Sequence, residues 1–264
     1  MPLPPVANFL GDPFIELQSI DSTNNYALAQ IHANLAQPGT CYFAHEQTAG
    51  KGQRGKSWAT EKAANITLSI ALKPLFLQPF QQFYLSACVA VAAHHLLNHY
   101  AGGTLKVKWP NDLYWQNKKL GGILIENIIS ERGGDRIKET EQATNWKWAV
   151  IGIGININQT NFPPGLKNPV SLKQISGQNF NTIKLAKKLC KTIERFYNEL
   201  ENHGPDTMFE IYNQVLYKKD EAVKFKKGSR HFEATVKSVN QTGQLTVFHS
   251  IEEKFDFGEV EWVM

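Results

Sequence analysis

KWPNDLYWQNKKLGGILIE, residues 108–126, is the stretch around which the rest of the chain can be organised. Lys108 and Trp109 close a strand-like run that starts at Leu105, and Pro110 ends it because proline has no N–H to give the ladder. Asn111 and Asp112 suit the turn that follows. Lys118-Lys119-Leu120 then leads into a second strand through Gly121-Gly122. Paired glycines at the start of a strand mark close backbone approach by a ligand or another chain segment. The stretch therefore reads as a hairpin with lysines at its mouth. A related run, Ile151-Gly152-Ile153-Gly154-Ile155-Asn156-Ile157-Asn158, puts small residues and two side-chain amides on or beside a further strand; a bulged core strand is the plain alternative.

Upstream, the first fourteen residues carry Pro2, Pro4, Pro5 and Pro13 and read as an extended arm. Asp21-Ser22-Thr23 looks like a helix N-cap, because short side-chain oxygens can satisfy free backbone N–H groups there. Tyr26, Ala29, Ile31 and Ala33 give that helix a buried side. Strands are expected at residues 40–44 and 65–72, and a largely apolar helix over residues 83–100, closed by Gly102-Gly103. Downstream, strands are expected at 122–129 and 146–157, joined by the polar stretch SERGGDRIKETEQATN as a long hairpin loop or insertion. From Asn181 the spacing of Ile183, Ala186, Leu189, Cys190, Ile193, Phe196, Tyr197 and Leu200 predicts an amphipathic helix ending at Gly204-Pro205.

After Tyr217 the texture changes. Short alternating strands (AVKFK, HFEATVKSV, GQLTVFH, KFDFGEVEWV) are divided by turn signals at Gly228, Gly243 and Gly258, the pattern of a small all-β module. Two domains are expected, an α/β body at residues 1–216 and a β-barrel at 217–264.

The 264 residues are 42% hydrophobic, and six Trp, eight Tyr and fifteen Phe exclude low-complexity disorder. Three cysteines, an odd number without metal-ligand spacing, exclude a disulfide scaffold. No run reaches the roughly 18 apolar residues of a membrane span, and the start lacks the form of a signal peptide. The simplest reading is a soluble, reduced, cytoplasmic protein. A net charge of +4, spread along the chain, permits phosphate ligands without demanding nucleic acid.

The loop AGKGQRGKSW, residues 49–58, fits two nucleotide-binding patterns at once. Gly50, Gly52 and Gly55 fit G-x-G-x-x-G; Gly50, Gly55, Lys56 and Ser57 fit G-x-x-x-x-G-K-[ST]. Both need a strand running straight into the glycines and a helix starting at their end. HEQTA separates the loop from the strand before it, and a new strand follows within about ten residues, so the helix has no room. A third reading is a flexible loop whose backbone approaches a polyphosphate while Lys51, Arg54 and Lys56 neutralise charge, with Trp58 as an apolar wall. A solvated surface loop with incidental lysines is the bland alternative. His94, His95 and His99 share one helix but lack a third ligand pattern for a metal. Cys88 and Cys190 read as core, and Lys218 to Arg230 as a solvated edge or a dock for an acidic partner.

Taken together, SIDSTN (residues 19–24), QTAGKGQRGKSW (47–58), KWPNDLYWQNKKLGGILIE (108–126) and IGIGININ (151–158), in that order, closely resemble the biotin protein ligases, also called holocarboxylase synthetases. The resemblance runs from about residue 15 to the end of the chain. It implies an α+β fold: a mixed β-sheet flanked by helices, like class II synthetases and lipoate ligases, with a small C-terminal Src-homology-3-like barrel.

The resemblance further implies a two-step reaction. Biotin's carboxylate attacks the α-phosphorus of ATP, with Mg²⁺ assisting, to give biotinyl-5′-AMP and pyrophosphate. A lysine of a biotin carboxyl carrier domain, in acetyl-CoA carboxylase or another biotin-dependent carboxylase, then takes the biotinyl group. Lys119 matches the family's key lysine, with Asp112 and Arg54 beside it as catalytic candidates. Biotin would meet Ser22, Thr23, Asn24, Gln47, Gly50, Lys51, Gly52, Gln53, Trp58, Lys119, Gly122 and Ile123. The adenylate would meet Lys51, Gln53, Arg54, Trp58, Asn111, Lys119, Gly152, Gly154 and Asn156. No protein-held metal, nucleic acid or membrane partner is implied; monomer and homodimer both stay open.

Two departures stand out. The family's loop commonly reads G-R-G-R-x-G, and here the second arginine is Gln53, so Arg54 or Lys51 is expected to supply its charge. Only about fourteen residues precede the catalytic body, too few for the helix-turn-helix of repressor relatives, so a ligase without operator binding is expected. The rival functions are a lipoate ligase on the same fold, a P-loop hydrolase or kinase, and a biotin- or lipoate-sensing module.

Overall fold

A computed structural model describes residues 9–130 and 145–263. Two sheets organise them. The larger has seven strands in the order β1-β2-β3-β7-β6-β5-β4. These are β1 Phe14–Leu17, β2 Cys41–Ala44, β3 Ile66–Leu72, β4 Leu105–Lys108, β5 Asp112–Trp115, β6 Lys118–Ser130 and β7 Asn145–Ile155. β1 and β2 run parallel and every other neighbouring pair antiparallel, so the sheet is mixed. The smaller sheet is wholly antiparallel, ordered β11-β10-β9-β8-β12, from β8 Ala222–Lys227, β9 Arg230–Val239, β10 Leu245–Phe248, β11 Glu252–Phe255 and β12 Glu261–Val263. It is the small all-β module that the alternating sequence after Tyr217 predicts, consistent with the Src-homology-3-like unit that the resemblance implies.

Strand alternation divides the large sheet's two faces. On β3 the alternating pattern of ITLSIAL sends Ile66, Leu68, Ile70 and Leu72 into the main core. Against that face pack α2 Gln82–Tyr100 and α4 Thr182–His203, while α5 Asp206–Gln214 packs on those two helices and on β9; the short α3 Leu172–Ser176 precedes α4. On β7, Ile151, Ile153 and Ile155 join the same core. The opposite face carries Ala71 and Val150, which with Ala27 and Ile31 of α1 Thr23–His32 form a smaller cluster. Isoleucine and glycine alternate in IGIGIN because one face packs into the main core while on the other Asn24 and Trp58 lie against the bare backbone.

The helix at 182–203 forms as its periodicity predicts, and the one at 82–100 as its largely apolar sequence predicts. Asn181 Oδ1 accepts Lys184 N–H at 2.9 Å to cap α4, and Gly204 ends it at φ 78°. The face of α1 departs from expectation. Its buried residues are Thr23, Asn24, Ala27 and Ile31, whereas Ala29 and Ala33 are exposed and Tyr26 half-buried. Its first turn carries polar side chains toward the sheet, which apolar spacing could not disclose. Ser22 occupies the N-cap position without a side-chain cap bond; Gln47 Oε1 takes the Thr23 N–H instead, at 2.8 Å. Helix α5 and strand β1 have no clear signal in the sequence, and Asp112 starts β5 rather than a turn. Gly121-Gly122 lie inside β6, which begins at Lys118. The insertion expected between β6 and β7 lies outside the described residues; the strands on either side pair from Gly121↔Ile155 to Ser130↔Asn145.

Candidate active site

The open face of the large sheet is paved in registered rows. Thr67 pairs with Gly154, Gly154 with Gly122, and Gly122 with Asp112, so one row crosses four strands. The next row joins Ser69, Gly152 and Leu124, and the one after it Ala71, Val150 and Glu126. Glycine in the first two rows leaves the backbone bare, as close approach by another group requires.

What approaches is visible at each position. A Cβ on Gly122 would meet Asp112 Oδ1 at 2.9 Å and Lys119 Nζ at 3.4 Å. A Cβ on Gly154 would stand 2.5 Å from the Trp58 indole, and one on Gly152 would strike the Asn24 amide. The glycines expected to receive a ligand thus also make room for Lys119, Trp58 and Asn24.

Lys119 reaches this face through a bulge. Leu113 pairs with Gly121 but Tyr114 with Lys119, so Leu120 is an extra residue in β6. Leu120 is buried, and Lys119 is turned toward the same side as Gly122. The bulge is fixed from behind: Lys119 N–H donates to Asn168 O at 2.7 Å, Val170 N–H to Lys119 O at 3.0 Å, and Asn156 N–H to Leu120 O at 2.9 Å. The Asn156 Nδ2 donates to Val170 O at 3.1 Å, so this buried amide supports the bulge. On the open side Lys119 Nζ lies 2.7 Å from Asp112 Oδ1 and 5.8 Å from the centre of a Trp58 ring.

Beside them Asn111 Nδ2 donates to Ile123 O at 2.8 Å. Asn111 Oδ1 and Trp58 Nε1 are buried without a hydrogen-bond partner among the described residues. Behind Asp112, in the neighbouring β4, Lys108 is almost fully buried with Nζ 4.6 Å from the Tyr114 ring centre and 5.1 Å from that of Trp262. Burial pushes its ammonium down to about 8, against a smaller upward pull from Asp112.

The glycine loop closes over this floor. Thr48 N–H donates to Ile20 O and Ala49 N–H to Asp21 O, which set the loop beside the start of α1. Within it Gly52 and Lys56, then Gly50 and Trp58, pair through backbone bonds of 2.6 and 2.8 Å. A single 3₁₀ turn, Gln53–Gly55, follows the glycines, and β3 comes next. No helix starts at their end, so the P-loop and dinucleotide contexts are absent and that rival reading falls. Gln53 Nε2 donates to Ile123 O at 3.2 Å, sharing that carbonyl with Asn111. Lys51 Nζ stands 3.9 Å from Glu126 Oε1. Arg54, at φ 55°, donates to Gly258 O, in the turn between β11 and β12, at 3.2 Å.

At the opposite end Ser22, Thr23 and Asn24 are buried in the first turn of α1. Thr23 N–H and Oγ1 lie 2.8 and 3.0 Å from Gln47 Oε1. Ser69 Oγ is 2.7 Å from Thr23 Oγ1 and 2.5 Å from Asn24 Oδ1, and Asn24 Nδ2 donates to Glu126 Oε2 at 2.7 Å. Ser69 and Glu126 are missing from the sequence-derived site. Both were findable: Thr67 and Ser69 are the polar members of an otherwise apolar strand, and Glu126 continues the alternation Gly122, Leu124, Glu126.

The site thus gathers the four motifs on one face: a buried polar end at the start of α1, a lysine–carboxylate pair on β5 and β6, a glycine floor, and a basic loop above. Comparison with known proteins gives these motifs a common context. Residues 16–137 match the family described as Biotin/lipoate A/B protein ligase. The chain is 33% identical over 199 residues to the bifunctional ligase/repressor BirA of Bacillus spizizenii, an overlap covering 74% of this chain and 57% of that one. It is 28% identical over 195 residues to the biotin–[acetyl-CoA-carboxylase] ligase of Paracoccus denitrificans, covering 71% and 74% of the two. It therefore spans little more than half the length of the first of these relatives. In fold it resembles a biotin protein ligase from Aquifex aeolicus solved in complex with biotin and ATP, with a TM-score of 0.76 at 22% identity over 94% of this chain and 97% of that one. A Leishmania major biotin protein ligase in complex with biotinyl-5-AMP gives a TM-score of 0.63 at 22% identity over 92% and 98%. Residues 16–137, a little under half of the chain, thus match the biotin/lipoate A/B protein ligase family, and the fold around them is that of the biotin protein ligases.

Proposed function

We propose that this chain is a biotin protein ligase that converts biotin and ATP to biotinyl-5′-AMP and pyrophosphate and then transfers biotin to a lysine of a biotin carboxyl carrier domain. The observation that carries the proposal is the Lys119–Asp112 pair at 2.7 Å beside bare Gly122, under a basic glycine loop. A carboxylate nucleophile attacking an anionic phosphate needs fixed positive charge at the reacting centre. An ammonium has three N–H donors. With one held by Asp112, two remain for the biotin carboxylate and the α-phosphate, so Lys119 would both join and neutralise the reactants. Asp112 would fix the direction of those donors, then orient the incoming carrier amine as it attacks the anhydride carbonyl and AMP leaves.

Ser22, Thr23 and Gln47 would meet the ureido ring, and Trp58 on Gly154 would wall the valeryl tail. Lys51, Gln53 and Lys56 would lie over the nucleotide and keep water from the anhydride. Gln53, already bound to Ile123 O, supplies no charge there; Lys51 and Lys56 would. Arg54 would hold the loop to the C-terminal sheet. Among the described residues no group of three or more His, Cys, Asp or Glu stands close enough to hold a metal ion. Magnesium would arrive with the ATP phosphates as part of the substrate. We further propose that residues 1–216 form the catalytic domain and 217–264 a second one, and that the protein works in the cytoplasm. Among the described residues no helix is long and apolar enough to cross a membrane.

The test is pyrophosphate release from MgATP with biotin, with lipoate, and with neither, followed by mass spectrometry of the bound product. Biotin-dependent release with biotinyl-AMP is expected. Lipoate-dependent release would change the substrate, and binding of biotin without turnover would make the chain a sensor.

A further inference from the structure

The polar chain under the recognition end contains more oxygen–oxygen contacts than hydroxyl protons. Ser69 to Asn24 Oδ1, Ser69 to Thr23 Oγ1 and Thr23 Oγ1 to Gln47 Oε1 are three contacts, of 2.5, 2.7 and 3.0 Å. The two hydroxyls supply one proton each. The direction in which those protons point is therefore set from an end of the chain. Glu126 is that end, because a carboxylate only accepts. It draws Asn24 Nδ2 to itself at 2.7 Å, which turns Asn24 Oδ1 toward Ser69. Ser69 then donates to Asn24, and of the two contacts open to the single Thr23 proton the shorter, 2.7 Å to Ser69, is the one it fills. The longest contact goes without a proton, and Gln47 Oε1 is satisfied there by the Thr23 N–H.

We infer that Glu126 sets the hydrogen-bond polarity of the recognition end and thereby leaves Thr23 Oγ1 as an acceptor toward the ligand. Glu126 is then a positioning and specificity-determining residue, acting through Asn24 and Ser69 without touching the ligand. An acceptor at Thr23 selects a ring that offers an N–H, as a cyclic urea does, over one that offers none, as a dithiolane does. The packing agrees: Gly152 is bare where the Asn24 amide lies, so the amide is seated against β7 and held in one orientation. Asn24 and Ser69 are buried, which raises the cost of any unmatched polar contact. Glu126 is partly exposed, so its replacement does not open the core.

The inference rests on the proposal that the ligand is biotin, and the experiment separates the two. Biotin affinity is measured by titration calorimetry, without ATP, for the wild-type chain and for isosteric variants whose folding is checked by thermal melts. Asn24→Asp sets two carboxylates face to face and is expected to weaken biotin at least about 30-fold, whereas Glu126→Gln frees the chain's direction and costs roughly fivefold. The double variant Asn24→Asp with Glu126→Gln restores the direction, since the carboxylate introduced on α1 accepts both from the amide introduced on β6 and from Ser69. It is expected to return affinity to within about threefold of wild type. In a Ser69→Ala background, Glu126→Gln should make no further difference. A double variant as weak as Asn24→Asp, or a full Glu126→Gln effect without Ser69, would overturn the inference. Absence of biotin binding by the wild-type chain would instead overturn the proposed function.

Discussion

The floor of the site and the loop above it are both rich in glycine and are held in contrasting ways. Gly122, Gly152 and Gly154 lie in paired strands, with neighbours on both sides and an isoleucine-packed core beneath. The loop at 50–58 is tied by its own short backbone pairs and by three side chains, Gln53 to Ile123, Lys51 to Glu126 and Arg54 to Gly258. Rigid elements fix the lysine and the carboxylate whose geometry the chemistry needs. A loop held by so few bonds is expected to open at a lower free energy than the paired strands. Changes on the floor should therefore alter chemistry or folding by large factors, and changes in the loop should be small and local.

The largest effect is expected at Lys119. Lys119→Ala removes the cation bonded to Asp112 on the floor, and biotin-dependent pyrophosphate release should fall on the order of 10³-fold. Folding should be nearly unchanged, since the side chain is partly exposed. Pyrophosphate assays and thermal melts on the same variant check both halves. A drop of less than tenfold would mean that the loop cations carry the charge instead.

Next comes Lys108, which ties the floor to the C-terminal sheet through Trp262. Burial lowers its ammonium from 10.5 to about 8. Below pH 8 it is protonated folded and unfolded, and the burial penalty counts in full. Between about 8 and 10.5 the folded chain gives up a proton that the unfolded chain keeps, so stability rises with pH. Wild type should gain on the order of 3 kcal/mol relative to Lys108→Met across that window. Denaturant melts of the two proteins at a series of pH values test it; parallel curves would refute the assignment.

Much of this architecture is legible in the sequence where one physical signal dominates. The helix at 182–203 follows from apolar periodicity, the one at 82–100 from a nearly continuous apolar run, and the C-terminal sheet from alternation with glycine turns. The glycine motifs mark both the floor and the loop. What escaped was set by tertiary contact. Strand β1 is four residues long and depends on β2 for its definition. The bulge at Leu120, which turns Lys119 to the open side, depends on Asn168 and Val170, some fifty residues further on. Ser22 and Thr23 read as cap residues and, with Asn24, as ligand contacts through the resemblance; the buried polar face that Thr23 and Asn24 form was not legible, because it requires Ser69 and Glu126 opposite. Arg54 reads as a phosphate ligand, and its bond to Gly258 O, in the turn between β11 and β12, could not be foreseen from the local sequence.

The two β7 glycines sharpen the comparison directly, since one faces the helix and the other the loop. Gly152→Ala drives a methyl into Asn24, which is buried in α1, and should cost about 1–3 kcal/mol of stability. Gly154→Ala drives a methyl into Trp58, which the loop can carry away. It should cost less than about 1 kcal/mol in folding yet weaken biotin around tenfold, because the indole no longer lies flat on the strand. Equal stability losses would show that the loop is as firmly held as the helix.

The smallest effect belongs to Arg54. Its bond to Gly258 O is exposed, and an exposed hydrogen bond contributes toward the low end of about 0.5–1.5 kcal/mol. Arg54→Ala should leave the melting transition in place and raise hydrogen exchange of the 50–58 amides roughly threefold, with exchange in β6 and β7 unchanged. The reciprocal change, Gly258→Ala, strains a residue at φ 90° and puts its methyl 2.7 Å from the guanidinium. It should loosen the same amides from the other side. If both substitutions act on the loop alone, the C-terminal sheet serves as an anchor for it. If exchange rises in the strands as well, the loop and the floor form one cooperative unit, and their contrast is one of geometry and not of stability.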